Sequence, residues 1–223
     1  MAVAELLAPA YLAERSERLR ASSPATALVA PAATGDTTFS CAVDADGNAA
    51  AVIQSIYAEW GSGVVAGDTG VLLQNRGSSF SLDPDHPNCL APGKRTAHTL
   101  TAGMLVGPHG VELVYGTMGG EGQPQTSAAI ATRVVDFGLS VQAAIDAPRW
   151  LLGRTWGEEH RGLRLERRFV PGVADALAGR GHENVSFVED FDELMGHAQA
   201  IQVFPDRLEA AADPRSDGAA LGF

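Results

Sequence analysis

Hydrophobic and polar positions along the chain follow two different periods. Over residues 1–21 the apolar side chains recur near helical spacing, with charged side chains on the other side, so this pattern predicts a helix. After residue 36 the period becomes that of strands. A strand over 38–43, a turn over 44–48 and a buried strand over 49–57 together predict a β-hairpin, with the Asp-Gly pair of the turn as its strongest signal.

The rest of the chain predicts further strands and several helices. A second hairpin is predicted around the turn at 107–110, and the polar, proline-rich stretch 77–95 predicts a long surface loop. Helices are predicted at 124–137, 141–147 and 171–180, and short strands at 185–188, 201–204 and 208–212. This order is typical of an α+β chain whose antiparallel sheets are covered by helices.

A linker separates the two periodic regions. Residues 22–36 contain two prolines and mostly small side chains. Such a composition predicts an extended, accessible segment, which is a natural place for a chain to be cut.

Composition and charge exclude several classes of function. The 223 residues are 45% hydrophobic and 19% charged, which suits one domain, with or without an N-terminal segment. The net charge of −11 argues against a nucleic-acid binder. No apolar run approaches the ~20 residues of a membrane span, so we expect no membrane partner. Glu5 interrupts the apolar start, which also lacks a basic region, and this favours a cytoplasmic protein over a secreted one.

The cysteines and histidines do not predict a cofactor. Cys41 and Cys89 are too few for a disulfide framework, and the histidines show no metal-ligand spacing. Cys41 lies in an apolar strand, where we expect a small core residue. The sequence therefore implies no metal and no organic cofactor.

The first candidate for chemistry is a threonine at the end of the linker. A threonine hydroxyl is a weak nucleophile, and an N-terminal amine beside it is a suitable base. In Asp36-Thr37-Thr38, cleavage of the Asp36–Thr37 bond would give Thr37 such an amine. Taken alone, a threonine pair at the start of a strand favours a purely structural role.

The second candidate is a glycine-rich turn downstream, Gly116-Thr117-Met118-Gly119-Gly120. Glycines let backbone N–H groups approach a developing oxyanion closely. A plain turn is the alternative. A phosphate-binding loop is a weaker one, because an acidic residue follows the glycine pair and no Lys-Ser/Thr pair comes after it.

Both candidates belong to a wider pattern of seven segments. In chain order the segments are Thr37-Thr38-Phe39-Ser40, Val43-Asp44-Ala45-Asp46-Gly47-Asn48-Ala49, Gly61-Ser62-Gly63, Gly93-Lys94-Arg95, Gly116-Thr117-Met118-Gly119-Gly120, Ile145-Asp146-Ala147-Pro148-Arg149 and Asp213-Pro214-Arg215-Ser216. In this order and at these spacings the chain resembles the γ-glutamyltranspeptidase family of N-terminal-nucleophile hydrolases. The resemblance covers 37–223 as the small catalytic subunit, and 1–36 look like the tail of the large subunit with its processing linker.

The resemblance implies a fold and a reaction. The fold is a four-layer αββα sandwich, of which this chain supplies the small-subunit half, and the precursor cuts itself before Thr37. Thr37 would then attack a γ-glutamyl amide of the glutathione type and pass the acyl group to water or an amine. Gly119 and Gly120 match the oxyanion-hole glycines, and Ser55 falls where a second hydroxyl orients the nucleophile.

The substrate side departs from the family pattern. The positions that hold the glutamyl α-amino and α-carboxylate groups fall on Tyr57, Arg76, Ser79, His98 and Thr99. An α-ammonium group requires a carboxylate partner, and a serine at position 79 offers none. The family's carboxylate-binding arginine belongs to the large subunit. The reaction type is therefore better supported than the acyl donor.

Alternatives stay open beside this interpretation. One is an acylase, or an amidohydrolase acting on poly-glutamate or a dicarboxylic-acyl amide, in the same superfamily. Another is a truncated, inactive remnant, because most of the large subunit is missing from the sequence. A large-subunit chain or segment is the expected partner. Arg149 and Arg215 are expected to form structural pairs.

Overall fold

The start of the chain forms two helices instead of the single one predicted. The computed structural model describes residues 3–20, 37–58, 60–153 and 160–223, so the predicted linker and Asp36 lie outside the described residues. Helix α1 spans Val3–Leu6 and α2 spans Pro9–Arg20. The prediction of one continuous helix was wrong because a proline has no N–H to donate and its ring clashes with the carbonyl four residues earlier. At the first position of a helix the same ring is well tolerated.

The predicted first hairpin is confirmed. Strands β1 (Thr37–Val43) and β2 (Ala49–Ser55) are antiparallel and pair from Thr37↔Ser55 to Val43↔Ala49. The turn is held by the Asp44 carboxylate, which accepts the N–H groups of Asp46 at 3.0 Å and of Asn48 at 2.8 Å. The hydrogen bond from the Asn48 side chain lowers the pKa of Asp44 most, and the bonds from the backbone N–H groups lower it further.

The second strand of this hairpin differs from its prediction in length and burial. It ends at Ser55, because Tyr57 takes a left-handed φ of 77° that a strand cannot continue. It is not buried on both faces, since Val52 is 58% exposed. One face of the hairpin packs inward and the other is open in the described chain.

The remaining elements follow the predicted order, with three helices and seven strands in the described ranges. Helices α3 (Gln123–Val135), α4 (Val141–Asp146) and α5 (Val173–Ala178) match the three predicted ones. The strands are β3 (Ala102–Gly107), β4 (Gly110–Met118), β5 (Trp150–Leu152), β6 (Leu163–Glu166), β7 (Val185–Val188), β8 (His197–Val203) and β9 (Leu208–Ala212).

A four-stranded antiparallel sheet with the order β3-β4-β8-β9 forms the centre of the molecule. Helices α3 and α4 cover one face, and the β1–β2 hairpin packs against the other, mainly on β4 and β8. The main apolar core lies between the sheet and the helices and consists of Leu113, Ile130, Val134, Val141, Ala144, Ile145, Ala198, Ala200 and Ala211. This stack of one helical layer on two strand layers is part of the αββα arrangement that the resemblance implied.

Strands β5 and β6 and the first half of β8 were not predicted from the sequence. Strands β5 and β6 form a small sheet with β7, in which β6 pairs antiparallel with β5 and parallel with β7. They are only 3 and 4 residues long, and β6 has no clean alternation because it is buried at nearly every position. Strand β8 begins four residues before its predicted start, where its inward residues are alanines too small to give a hydrophobic signal.

The long loop 77–95 is confirmed as irregular. It begins in a 3₁₀ turn over Arg76–Ser79 and contains one isolated bridge between Ser81 and Cys89. In the ranges that the structure covers, none of the helices combines the length and the apolar character needed to cross a bilayer.

Gly116 allows the hairpin to approach the central sheet. A Cβ at Gly116 would overlap Cε2 of Phe39, a residue that is only 4% exposed. Phe39 follows Thr37 by two residues on the same face of β1. The first glycine of the glycine-rich segment therefore sets the depth at which the start of β1 sits.

We expect Gly116→Ala to destabilise the protein by about 2 kcal/mol, because the added methyl group overpacks the Phe39 ring. The melting temperature should fall by about 4–8 °C for a chain of this size. Thermal unfolding followed by circular dichroism measures this. Gly77→Ala is the matched control, since a Cβ there meets nothing within 4 Å, and it should change little. Equal melting temperatures for both variants would contradict this packing.

Candidate active site

Thr37 and Ser55 face each other across the end of the hairpin. The register pairs them directly, which places both side chains on the inward face of the two strands. The Thr37 Oγ1 hydroxyl donates to Ser55 Oγ at 2.9 Å, and Ser55 Oγ also accepts the backbone N–H of Tyr57 at 3.0 Å. The candidate nucleophile is thus held in one orientation by a hydroxyl that the backbone itself fixes.

A cleft of 270 Å³ opens beside Thr37. Its walls come from the start of β1, the end of β4, the start of β8 and the segment after β9, and are formed by Thr37, Thr38, Phe39, Met118, His197, Gln199, Ser216, Asp217 and Gly218. Because Met118 directly precedes the glycine pair, the fold brings the predicted nucleophile and the predicted oxyanion turn to the same cleft.

The glycine pair has a backbone that other residues rarely adopt. Gly119 has φ 138° and Gly120 has φ 52°. The N–H of Gly122 donates to the carbonyl of Gly119 at 2.9 Å and closes a 3₁₀ turn that leads directly into α3. Side chains at 119 and 120 would strain this turn, so glycine is required here for conformational reasons as well as for close approach.

Three of the predicted substrate-side residues lie together next to Ser55. Arg76 is only 4% exposed, and its Nη1 donates to Thr99 Oγ1 at 3.1 Å. The guanidinium carbon lies 5.2 Å from the centre of the Tyr57 ring, a cation–π contact. Burial lowers the pKa of Arg76, and the nearby Tyr57 hydroxyl partly offsets this.

The other two substrate-side residues are placed differently. His98 lies near Arg76, and burial followed by the charge of Arg76 lowers its pKa, which favours the neutral imidazole. Its Nδ1 accepts the N–H of Leu100 at 3.3 Å, so the proton of the neutral ring lies on Nε2. Ser79 is fixed through its backbone carbonyl, which accepts from Asn88 Nδ2 at 2.7 Å, and its hydroxyl makes no hydrogen bond to this group in the described chain.

The far wall of the cleft was missed by sequence reasoning. His197, Gln199, Asp217 and Gly218 were not predicted as site residues, and Ser216 entered only as part of a motif. These residues lie at the start of β8 and in the segment after β9, and the two regions meet at the cleft. This location is the feature that they share. Only the pairing of β8 with both β4 and β9 brings these ends to Thr37.

A buried ion network supports this wall, and it confirms the structural pairs expected for Arg149 and Arg215. Arg149 Nη2 lies 2.6 Å from Asp213 Oδ2, and the two side chains are 1% and 0% exposed. Arg215 binds Glu166 through two bonds, from Nε at 2.6 Å and from Nη2 at 2.7 Å. Burial lowers the pKa of Arg149 to about 10, against the opposing effect of Asp213, and the guanidinium stays charged at neutral pH.

The network also fixes the backbone at the cleft. Arg149 Nη1 donates to the carbonyls of Met195 and Gly196, at 3.2 and 2.8 Å. The Asp213 carboxylate accepts the N–H of Ala198 at 2.7 Å. These bonds flank His197 on both sides, so the start of β8 is held from within the core.

Cys41 does not compete with Thr37 as a nucleophile. It lies on β1, and burial raises the pKa of its thiol to about 11. The thiolate, which is the reactive form, is therefore scarce at neutral pH. Cys41 is half-buried, so it packs on β1 without being the core residue that the sequence predicted.

Several known proteins are similar to this chain in sequence. The sequence profile of the family described as gamma-glutamyltranspeptidase matches residues 1–223. A glutathione hydrolase-like YwrD proenzyme of Bacillus subtilis is 55% identical over 84% of this chain, and an oxamate amidohydrolase proenzyme of Klebsiella pneumoniae is 52% identical over 85% of it. In both cases the match covers 36% of the relative, so the chain spans about a third of the length of these curated relatives.

Solved structures agree with the sequence comparison. The cephalosporin acylase of Bacillus halodurans superposes on 98% of this chain with a TM-score of 0.79 and 36% identity, over 39% of its own length. The family profile matches the whole sequence, and the fold agrees with that match. The chain therefore belongs to the gamma-glutamyltranspeptidase family of N-terminal-nucleophile hydrolases, as the small-subunit portion of that α+β fold.

Proposed function

We propose that residues 37–223 are the catalytic subunit of an acyl-transfer enzyme that uses Thr37 as an N-terminal nucleophile. The observation that carries this proposal is the 2.9 Å bond from Thr37 Oγ1 to Ser55 Oγ at the first position of β1. Residues 1–36 are the tail of the large subunit in this proposal, and cleavage of the Asp36–Thr37 bond frees the amine. A large-subunit chain or segment is the proposed partner, and the proposed location is the cytoplasm.

The proposed reaction has two halves. The Thr37 amine accepts the proton of Oγ1 while Oγ1 bonds to the carbonyl carbon of the amide, and N–H groups of Gly119 and Gly120 stabilise the resulting oxyanion. Collapse of this intermediate breaks the C–N bond, and the ammonium returns the proton to the departing amine. Water or a second amine then attacks the ester on Thr37 in the same way, which gives hydrolysis or transfer.

The leading acyl donor is a γ-glutamyl amide of the glutathione type. The glutathione hydrolase-like relative supports this substrate class. The second candidate is an acylase or amidohydrolase of altered acyl specificity. It is favoured by the group Tyr57, Arg76 and Thr99, which lies next to Ser55 and contains no acidic residue for an α-ammonium.

Trapping of the acyl-enzyme tests the proposal. The processed chain is mixed with γ-glutamyl and glutaryl p-nitroanilides and quenched in acid, and peptide mass mapping should place the added acyl group on Thr37. Ser55→Ala should lower kcat by about tenfold or more with little change in KM, because the lost hydroxyl orients the nucleophile. Ser55→Thr should keep most of the activity. An adduct on another residue, or none with either donor, would contradict the proposal.

A further inference from the structure

The proposed oxyanion donors are backbone N–H groups, so their directions depend on the peptide units that carry them. A trans peptide unit is planar, and its N–H points opposite to its C=O. The N–H of Gly119 is therefore directed by the carbonyl of Met118, and the N–H of Gly120 is directed by the carbonyl of Gly119. The groups that hold these two carbonyls also determine where the two donors point.

The Gly119 carbonyl is held by the main chain. It accepts the N–H of Gly122 at 2.9 Å, in the 3₁₀ turn over Gly120–Gly122 that leads into α3. Because this bond joins two backbone groups, it directs the Gly120 N–H through the turn itself. The Met118 carbonyl lies one residue earlier, at the end of β4, and has a different donor.

A threonine side chain is the donor to the Met118 carbonyl. Thr117 is 0% exposed, and its Oγ1 lies 2.6 Å from the Met118 carbonyl oxygen. A carbonyl oxygen only accepts, so the threonine hydroxyl donates in this bond. The distance is normal for a hydrogen bond from a hydroxyl group to an oxygen. The peptide unit between Met118 and Gly119 is thus tied to the side chain that precedes it.

Gly196 closes the space around this hydrogen bond. A Cβ at Gly196 would overlap the Met118 carbonyl oxygen and would lie 2.9 Å from Thr117 Oγ1. Gly196 has φ 81°, and its own carbonyl accepts from Arg149 Nη1 at 2.8 Å. The bond therefore lies against a backbone segment that the buried ion network fixes, and the Met118 carbonyl has little room to turn away.

We propose that Thr117 is a positioning residue that directs the Gly119 N–H at the oxyanion. This proposal rests on the proposed function, because the N–H has a catalytic role only if Thr37 attacks a carbonyl carbon. Met118 and Thr37 line the same cleft, which places this peptide unit beside the nucleophile. Without the hydroxyl, the Met118 carbonyl loses the donor that fixes it, and the N–H of the same unit loses its direction. Donors stabilise a transition state most when they are oriented in advance.

Thr117→Val tests this proposal, because it removes the hydroxyl and keeps a branched side chain of nearly the same shape. With the anilide that acylates Thr37, kcat should fall roughly tenfold, less than the about 10²–10³-fold loss of a complete oxyanion donor, since the Gly120 N–H is unaffected. KM should stay unchanged, because the lost interaction acts in the transition state. Thr117→Ser should restore most of kcat.

Inhibition by the alkyl boronate that matches the acyl group is the second readout. Boron accepts an electron pair from Thr37 Oγ1, the hydroxyl proton passes to the amine, and the tetrahedral adduct carries an oxygen at the oxyanion position. Analogues of a transition state lose affinity when the groups that stabilise that state are disturbed. The inhibition constant should therefore rise in Thr117→Val by the same factor as kcat falls, and calorimetric binding of the acid product should not change.

Thr126→Val is the matched control. Thr126 is also buried, at 6% exposed, and its hydroxyl also donates to a backbone carbonyl, that of Met195 at 3.3 Å. Arg149 donates to the same carbonyl, so the control loses a buried hydroxyl while the Met195 carbonyl keeps a donor. Its kcat and its inhibition by the boronate should match the wild type.

Equal kcat values for Thr117→Val and Thr126→Val overturn the proposal. A loss in Thr117→Val that kcat and affinity for the acid product share also overturns it, because disturbed folding alone gives that result. The proposed function fails by a separate readout, the absence of an acyl group on Thr37 in wild-type protein. The two failures are therefore distinguishable.

Discussion

Replacing Thr37 by alanine is expected to abolish both self-cleavage and amide hydrolysis. The variant keeps the strand but loses the hydroxyl that donates to Ser55 and attacks the carbonyl. Removal of an enzyme's nucleophile lowers kcat by about 10⁴-fold or more. Thr37→Ser should keep both reactions at a reduced rate, because serine retains the hydroxyl and loses the methyl group that restricts its rotamer.

Rates of cleavage, followed by gel and mass, and initial rates with an anilide substrate measure this loss. Ser40→Ala is the matched control, since Ser40 lies on the exposed face of the same strand. It should leave both rates near the wild-type values. Residual activity of Thr37→Ala above about a hundredth of the wild type would assign the nucleophile to another residue.

The free amine of Thr37 predicts how the rate depends on pH. An α-amino group has an ordinary pKa of about 7.7–8.0, and only its neutral form accepts the hydroxyl proton. In processed protein, kcat/KM should therefore rise as pH increases through that range. A rate independent of pH there would argue against the amine as the base.

The second large effect is expected at the buried ion network. Arg149→Met removes one of the two guanidinium groups that pair with the buried Asp213 carboxylate and leaves Arg215 as its partner. It also removes donors from the carbonyls of Met195 and Gly196. Loss of one partner of a buried ion pair costs about 3–5 kcal/mol. For a chain of this size, this corresponds to a melting temperature about 6–20 °C lower.

Urea unfolding measures the free energy of this change. Arg207→Gln is the matched control, because Arg207 pairs with Asp206 and Glu209 at the surface, where its side chain is 51% exposed. The control should cost less than about 1 kcal/mol. A loss in Arg149→Met no larger than in Arg207→Gln would show that the network does not stabilise the start of β8.

Local patterns were sufficient to predict most of the fold. The Asp-Gly turn and the alternation around it determine the β1–β2 register, and that register alone places Thr37 opposite Ser55. The break between α1 and α2 was predictable in principle, because it follows from a single proline. Strands β5 and β6 were not, since 3 and 4 residues give no reliable period and their stability comes from tertiary packing.

The candidate site was predictable where it depends on neighbouring segments. Thr37, Ser55 and the glycine turn were identified from order and spacing, and the fold brings them together. The cleft wall at His197 and Ser216 was not, because it depends on how three distant strands pair. The bond from Arg215 to Glu166 joins residues 49 positions apart, and no sequence period connects them.

The central claim is that Thr37 becomes an N-terminal nucleophile, and intact mass with N-terminal sequencing of the purified chain tests it most directly. The account predicts two fragments, residues 1–36 and 37–223, with the larger beginning Thr-Thr-Phe-Ser, and no cleavage in Thr37→Ala. A single species of 223 residues, or a cut at any other bond, would contradict it.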